Sequence, residues 1–140
     1  MSHAIQQACD SLEAFRRQLK DLLRQGGGEV SPALLTAAAD DCPDAVIGCT
    51  DAAEIRTVNG AAARLTGMAT RTLQTMTLWD ITDSTSQGDF EVLWREFLRA
   101  GRQRGAYAIR HHDGSKVEVA YCSAAHVIPN LHLTVLRKLS

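Results

Sequence analysis

Asp113-Gly114, set between two runs of β-forming residues, constrains this chain more than any other short feature. Such a dipeptide between alternating apolar segments is the strongest local signal for a β-hairpin. It predicts strands over 107–112 and 116–124. With Asp113-Gly114 as a two-residue loop, Arg110 opposes Val117 and Tyr107 opposes Ala120. Tyr107, Ile109, Ala120 and Cys122 then share one face, and Ala106, Ala108, Val117, Val119 and Tyr121 the other. An antiparallel sheet with one wet face alternates apolar and polar residues, but here both faces are apolar. Each side therefore needs a cover: helices from 61–100 on one, and the N-terminal helices or a partner on the other.

The remaining elements follow from local signals. Ser31-Pro32 opens a helix with a cap and a proline at its first position, with Leu34, Leu35 and Ala38 on its apolar side and Pro43 closing it. Ala45 to Thr50 and Ile55 to Val58 read as strands joined by a tight turn. Ala61 to Thr66 is a short helix ended by Gly67, followed by a short helical or irregular stretch over 70–81. Asp89 to Ala100 is a longer helix with Phe90, Leu93, Trp94, Phe97 and Leu98 on one side. A last strand, Leu131 to Leu136, follows a turn at Pro129-Asn130. Strands at both ends with helices between them predict an α+β domain built on one antiparallel sheet.

Residues 4–24 carry a heptad pattern. Ile5, Leu12 and Leu19 recur at seven, and Ala8, Phe15 and Leu22 fill the alternate positions. The flanking positions hold no complementary charges; Cys9 and Leu23 widen the stripe instead. These seam residues are the dimer-interface candidates, and the same stripe suits docking on the chain's own domain. Three heptads are marginal alone in water. Gly26, Gly27 and Gly28 end the helix and mark a flexible joint, dividing the chain into 1–28 and a domain over 29–140.

Net charge is −1, with 22% charged and 45% hydrophobic residues, so no basic field exists to attract nucleic acid. No run approaches the ~18 apolar residues of a membrane helix. The polar start at Met1, Ser2 and His3 does not resemble a signal peptide, so a cytoplasmic location and no membrane insertion are expected. Cys9, Cys42, Cys49 and Cys122 lack metal-ligand spacing and are expected as reduced, mostly buried thiols.

With these residues in view, the chain resembles the PAS family. Asp51 before Ile55, Val58-Asn59-Gly60-Ala61 and Leu65-Thr66-Gly67 are similar to the run joining the first two strands to the first core helix. Trp94, Phe97-Leu98 and Gly101 resemble the long connecting helix; Tyr107, Ile109-Arg110, Asp113-Gly114 and Val117 resemble the hairpin after it. The resemblance spans about residues 33–137. It implies a PAS-like five-stranded antiparallel sheet with helices on one face, an N-terminal helical extension, and a ligand-sized cavity between sheet and helices. It also implies a sensory and dimerisation module: a homodimer through the N-terminal helix and sheet, with a kinase, cyclase or regulator as partner. Two departures stand out. The turn between Asp51 and Ile55 is one residue shorter than the common pattern and lacks its glycine. Lys138-Leu139-Ser140 replaces the Asp-Ile-Thr that often leads into an effector.

Relatives that form a flavin–cysteine adduct resemble Asn-Cys-Arg-Phe-Leu-Gln after the early helices, whereas Thr70 to Leu78 contains no cysteine. Haem-binding relatives place a histidine on the long helix, and residues 89–100 contain none. No cofactor and no metal are therefore expected, and His111, His112, His126 and His132 read as surface or hydrogen-bonded histidines. Asp40-Asp41 and Asp80 with Asp83 sit at helix ends, where aspartate caps, so no catalytic residue is assigned. Met68, Met76, Trp79, Phe90, Trp94, Phe97, Tyr107 and Tyr121 are the candidates to line the cavity or to fill it as core. A filled or nearly filled interior is expected, with Tyr107 and Tyr121 facing opposite sides so that one at most anchors a ligand. The alternative function is a small α+β enzyme working in the same cavity.

Overall fold

The protein is described from a computed structural model covering residues 2–139, the side chain of Ser2 excepted. The opening Met1, the Ser2 side chain and the terminal Ser140 lie outside the described residues. Helices α1 (Ser2–Gln25) and α2 (Pro32–Asp40) lead into β1 (Ala45–Cys49) and β2 (Ile55–Val58). Short helices α3 (Gly60–Thr66), α4 (Thr70–Leu73), α5 (Leu78–Ile81) and α6 (Ser84–Gln87) follow, then α7 (Phe90–Ala100), β3 (Arg102–Arg110), β4 (Lys116–Ile128) and β5 (Leu131–Lys138). The strands form one five-stranded antiparallel sheet in the order β2-β1-β5-β4-β3.

Both faces of the sheet are covered, as the two apolar faces of the hairpin require. On the inner face Ile47, Cys49, Ile55, Ile109, Val119, Tyr121 and Leu136 pack with Ala62 of α3, Leu73 of α4, and Leu78 and Ile81 of α5. On the outer face Val46, Cys122, Ala124, Leu131, Leu133 and Val135 pack with Leu35, Ala38 and Ala39 of α2 and with Ala8, Cys9, Leu12, Phe15 and Leu19 of α1. Leu34, expected on the apolar side of α2, points to solvent, and Ala39 takes its place inside.

The heptad stripe of α1 is thus spent on the protein's own sheet. Ala8, Leu12, Phe15 and Leu19 are buried within the chain itself, while Ile5, Leu22 and Leu23 stay half-buried at the ends of the stripe. Three polar ties fix the docking: Ser11 Oγ donates to the Asp44 carboxylate at 2.7 Å, Arg102 pairs with Glu13 at 2.8 Å, and Gln18 donates to Asp41 at 3.2 Å. Asp44 is buried and also receives Arg137 at 2.9 Å, so its charge is compensated from two elements. The triple glycine forms an ordered cap: Gly28 N–H donates to Leu23 O at 2.7 Å across Gly27, whose φ is 69°.

The hairpin differs from the two-residue reading. His111 N–H donates to Ser115 O at 2.8 Å and Arg110 pairs with Lys116, so residues 111–115 form the loop, with Gly114 at φ 88°. The odd loop moves the register by one residue and turns every β4 side chain to the other face relative to β3. Tyr107 therefore pairs with Val119 rather than Ala120. Tyr107, Ile109, Val117, Val119 and Tyr121 all belong to the inner side, while Cys122 belongs to the outer.

Asn59 joins the layers at the start of α3. Its Oδ1 accepts from Val46 N–H at 2.9 Å and Ala62 N–H at 3.0 Å, and its Nδ2 donates to Ala39 O at 2.8 Å and Asp44 O at 2.9 Å. One buried side chain thus caps α3 and fastens it to β1 and the end of α2. In the short β1–β2 turn, Ala53 takes the left-handed conformation at φ 62° that a glycine would adopt freely.

Candidate functional site

A cleft of about 180 Å³ opens between α5–α7 and the inner face of the sheet. Its helical wall is Phe90, Leu93 and Trp94, the aromatic stripe that the spacing i, i+4 places on one side of α7. Phe90 and Trp94 stack with ring centroids 6.0 Å apart, and Trp94 Nε1–H donates to Asp51 O at 3.0 Å, tying α7 to the β1–β2 turn. The sheet wall is Tyr107, Tyr121, Ser123 and Thr134.

This wall is polar where alternation along an apolar strand would put aliphatic groups. The Ser123 and Thr134 hydroxyls share a hydrogen bond of 2.9 Å across the β4–β5 pair. Tyr121 donates to Gln103 Oε1 at 3.1 Å, and Gln103 in turn donates to Leu93 O at 3.1 Å, closing one end of the cleft. Tyr107 and Tyr121 meet edge to face at 5.0 Å, so both reach the same space, in contrast to the opposite-sided placement of the two-residue loop. Burial, reinforced by the neighbouring Tyr121 phenol, raises the Tyr107 phenol above its usual range, and burial raises Tyr121 as well. Both rings are neutral hydroxyls at physiological pH. Among the described residues the Tyr107 hydroxyl has no hydrogen-bond partner.

Of the eight candidates, Phe90, Trp94, Tyr107 and Tyr121 line the cleft. Met68 and Met76 pack half-buried against the inner core, away from it. Phe97 is buried 5.9 Å from the ring of His132, beyond the cleft floor. Trp79, expected at the cavity between the long helix and the sheet, is 48% exposed at the surface of α5. The lining residues absent from the candidates are mostly polar: Thr82, Thr85, Ser86, Asp89, Gln103, Ser123 and Thr134, with Leu93 and Ala106 beside them. The polar ones come from α6, β3, β4 and β5 and from the residues flanking α5 and α7, and the one available signal was a pair of hydroxyl residues at inward positions of β4 and β5.

His132 is buried with both ring nitrogens committed. Its Nδ1 accepts the His126 backbone N–H at 2.9 Å, which fixes the proton on Nε2, and Nε2 lies 2.7 Å from Asp51 Oδ1. Asp51, His126 and His132 form the one cluster with metal-ligand spacing among the described residues. The tautomer argues against coordination there: a metal on Nε2 would displace a proton that Nδ1, already an acceptor, has no room to take. The cluster instead joins the β1–β2 turn, the bulge of β4 and β5. Asp80 completes a capping box with Thr77, Asp83 caps α6, and Asp40 accepts from Gly60 N–H at 3.0 Å. Asp40, Asp80 and Asp83 thus serve helix starts, Asp41 receives Gln18, and Asp89 is the one carboxylate on the cleft.

A flavin or haem does not fit this site. Pockets for drug-sized ligands run to about 300–1,000 Å³, well above the volume here, and neither histidine nor cysteine lines the cleft. Cys49, the inward-facing thiol nearest in the core, is fully buried and pushed up to about 12 by that burial.

No protein-family model matches the sequence, and no curated protein matches it. Solved structures do match in fold. A PAS domain from a two-component sensor histidine kinase is 19% identical with a TM-score of 0.61, covering 71% of this chain and 88% of its own. The PAS domain of an HTR-like protein from Haloarcula marismortui is 17% identical with a TM-score of 0.64, covering 88% and 98%. A PAS domain from Colwellia psychrerythraea is 18% identical with a TM-score of 0.62, covering 74% and 92%. The strand order, the short helices over the inner face and the N-terminal helix, together with these matches, identify the chain as a PAS-like fold.

Proposed function

We propose that the protein is a PAS-type sensory module whose cleft takes a small neutral molecule and whose α1 carries the response. One observation supports this most. Alternate residues of β4 and β5 serve the two faces of the same strands: Tyr121, Ser123 and Thr134 line the cleft, and Cys122, Ala124, Leu133 and Val135 hold α1 and α2. A shift of these strands on one side is a shift of the helix seat on the other.

The ligand class follows from the walls. At about 30 Å³ per water, a volume near 180 Å³ admits a molecule of few heavy atoms. An apolar helical wall faces a wall of hydroxyls, which suits a small aromatic or aliphatic alcohol with one polar edge. Tyr107, with its unpaired hydroxyl, is the anchor. The solved PAS domain of a sensor histidine kinase has this fold, and a kinase, cyclase or regulator reading α1 is the partner expected here. A homodimer through α1 would have Ile5, Leu22 and Leu23 to offer, because the rest of the seam is occupied.

The test is a nuclear magnetic resonance titration of the full chain with phenol, benzyl alcohol and ethylene glycol. Saturable shifts at Tyr107, Tyr121, Ser123 and Thr134 are expected, weakened at least several-fold by Tyr107→Phe. Equal affinity in Tyr107→Phe, or saturation at residues away from the cleft, would overturn the assignment.

A further inference from the structure

Two thiols that lie 113 residues apart in sequence meet between α1 and β4. Cys9 Sγ is 2.6 Å from Cys122 Sγ, against about 2.05 Å for a covalent S–S bond. Both are free thiols, as are Cys42 and Cys49. Neither of those joins the pair: Cys49 lies on the opposite face of the sheet, and Cys42 stands at the end of α2.

The pair is not sealed inside the core. It forms the floor of an open groove of about 680 Å³ between α1 and the edge of the sheet, walled by Gln6, Asp10 and Glu13 on the helix and by Arg102 and Arg104 on β3. The Arg102 guanidinium, held by Glu13 at 2.8 Å, stands beside Cys122. A small oxidant thus reaches two adjacent sulfurs, the arrangement in which a sulfenic acid formed at one is met at once by the other thiol.

We propose that Cys9 and Cys122 form a reversible disulfide, made by a hydroperoxide, that staples α1 to the sheet. The Cys9 sulfur, the more exposed of the two, attacks as its thiolate the terminal peroxide oxygen. The O–O bond breaks, Cys9 becomes a sulfenic acid, and the leaving alkoxide or hydroxide takes a proton. Cys122 then attacks the Cys9 sulfur, its proton leaving with the sulfenic oxygen as water. Two thiols are oxidised by two electrons and the peroxide is reduced by two. Cys122, the less exposed of the two at 3% against 8%, is the resolving thiol, and burial raises it above the ordinary thiol range. An external dithiol reverses the bond by exchange. The staple is independent of any ligand in the cleft.

The test uses the reduced full chain, exposed to hydrogen peroxide and then unfolded in the presence of an alkylating maleimide. Two of the four cysteines should escape alkylation, peptide mapping without reductant should join the segments holding Cys9 and Cys122, and dithiothreitol should restore all four. The yield should not depend on protein concentration. Cys9→Ala should abolish the cross-link, while the Cys42→Ala/Cys49→Ala chain should still form it, so a fold lost in one variant does not decide the outcome. Amide exchange over residues 4–24 should slow several-fold on oxidation. Four alkylated cysteines after peroxide, a bond to any other cysteine, or sulfinic acid at Cys9 without a cross-link would overturn the proposal.

Discussion

Replacing Asn59 by alanine removes a side chain that is 1% exposed and serves four backbone groups. Two of the four retain other partners: Ala62 N–H also reaches Asn59 O, and Ala39 O also accepts from Cys42 N–H. Val46 N–H and the Asp44 carbonyl are left to bury alone. Each orphaned buried group costs ~1–3 kcal/mol and a lost cap ~1 kcal/mol, so Asn59→Ala should destabilise by about 3–7 kcal/mol. That is a large part of the ~5–15 kcal/mol typical of a domain. Asn59→Asp separates capping from bridging. Aspartate caps as well as asparagine, but it sets an oxygen against two carbonyls in place of the donating amide. It should therefore cost at least as much as alanine. Urea unfolding followed by circular dichroism measures both. Aspartate tolerated to within about 1 kcal/mol would show that the cap alone matters and refute the bridging account.

Three further substitutions probe the same architecture. Leu12→Ala, at a fully buried seat on the outer face, should cost about 2–5 kcal/mol in chemical unfolding, and less than 1 kcal/mol if α1 were undocked. Gly67→Ala should cost about 2 kcal/mol or more, because φ is 70° and the new Cβ would stand 2.5 Å from the His111 ring; adding His111→Ala should recover part of the loss. Asp113 is held down to about 2 by the Ser115 hydroxyl and backbone N–H, from an ordinary value of 3.8. A depressed carboxyl stabilises the fold above its unfolded value, and that contribution fades as pH falls from about 4 to 2. The thermal midpoint of the native chain should therefore fall more steeply over that window than that of Asp113→Asn.

How much was legible depends on the range of the signal. Elements with local causes were read within a residue or two: the Ser31-Pro32 helix start, the Asn59 and Gly67 limits of α3, the Pro129-Asn130 turn and the Asp113-Gly114 reversal. Helix α6, capped by Asp83, went unread because four polar residues carry no periodicity. Two apolar faces on one hairpin correctly required two covers. The stripe on α1 did not say what it faces, since a 3.5-residue seam and a 3.6-residue face pick nearly the same residues over three heptads. The hairpin register was missed because loop residues 111–115 are odd in number, and one residue decides whether Tyr107 and Tyr121 share a face. The polar cleft and the Cys9–Cys122 pair were beyond reading: each is assembled from residues on separate elements, and spacing is silent about them.

The proposed coupling between the cleft and α1 runs through the strands they share, β4 and β5. It is tested most directly by amide exchange over the whole chain, free and saturated with the phenol or alcohol of the titration above. Occupancy should slow exchange at Tyr121, Ser123 and Thr134 and, in the same sample, at Ala8, Leu12 and Phe15 of α1. Slowed exchange confined to the cleft, with α1 unchanged, or no saturable binding by any of the three probes, would contradict the account.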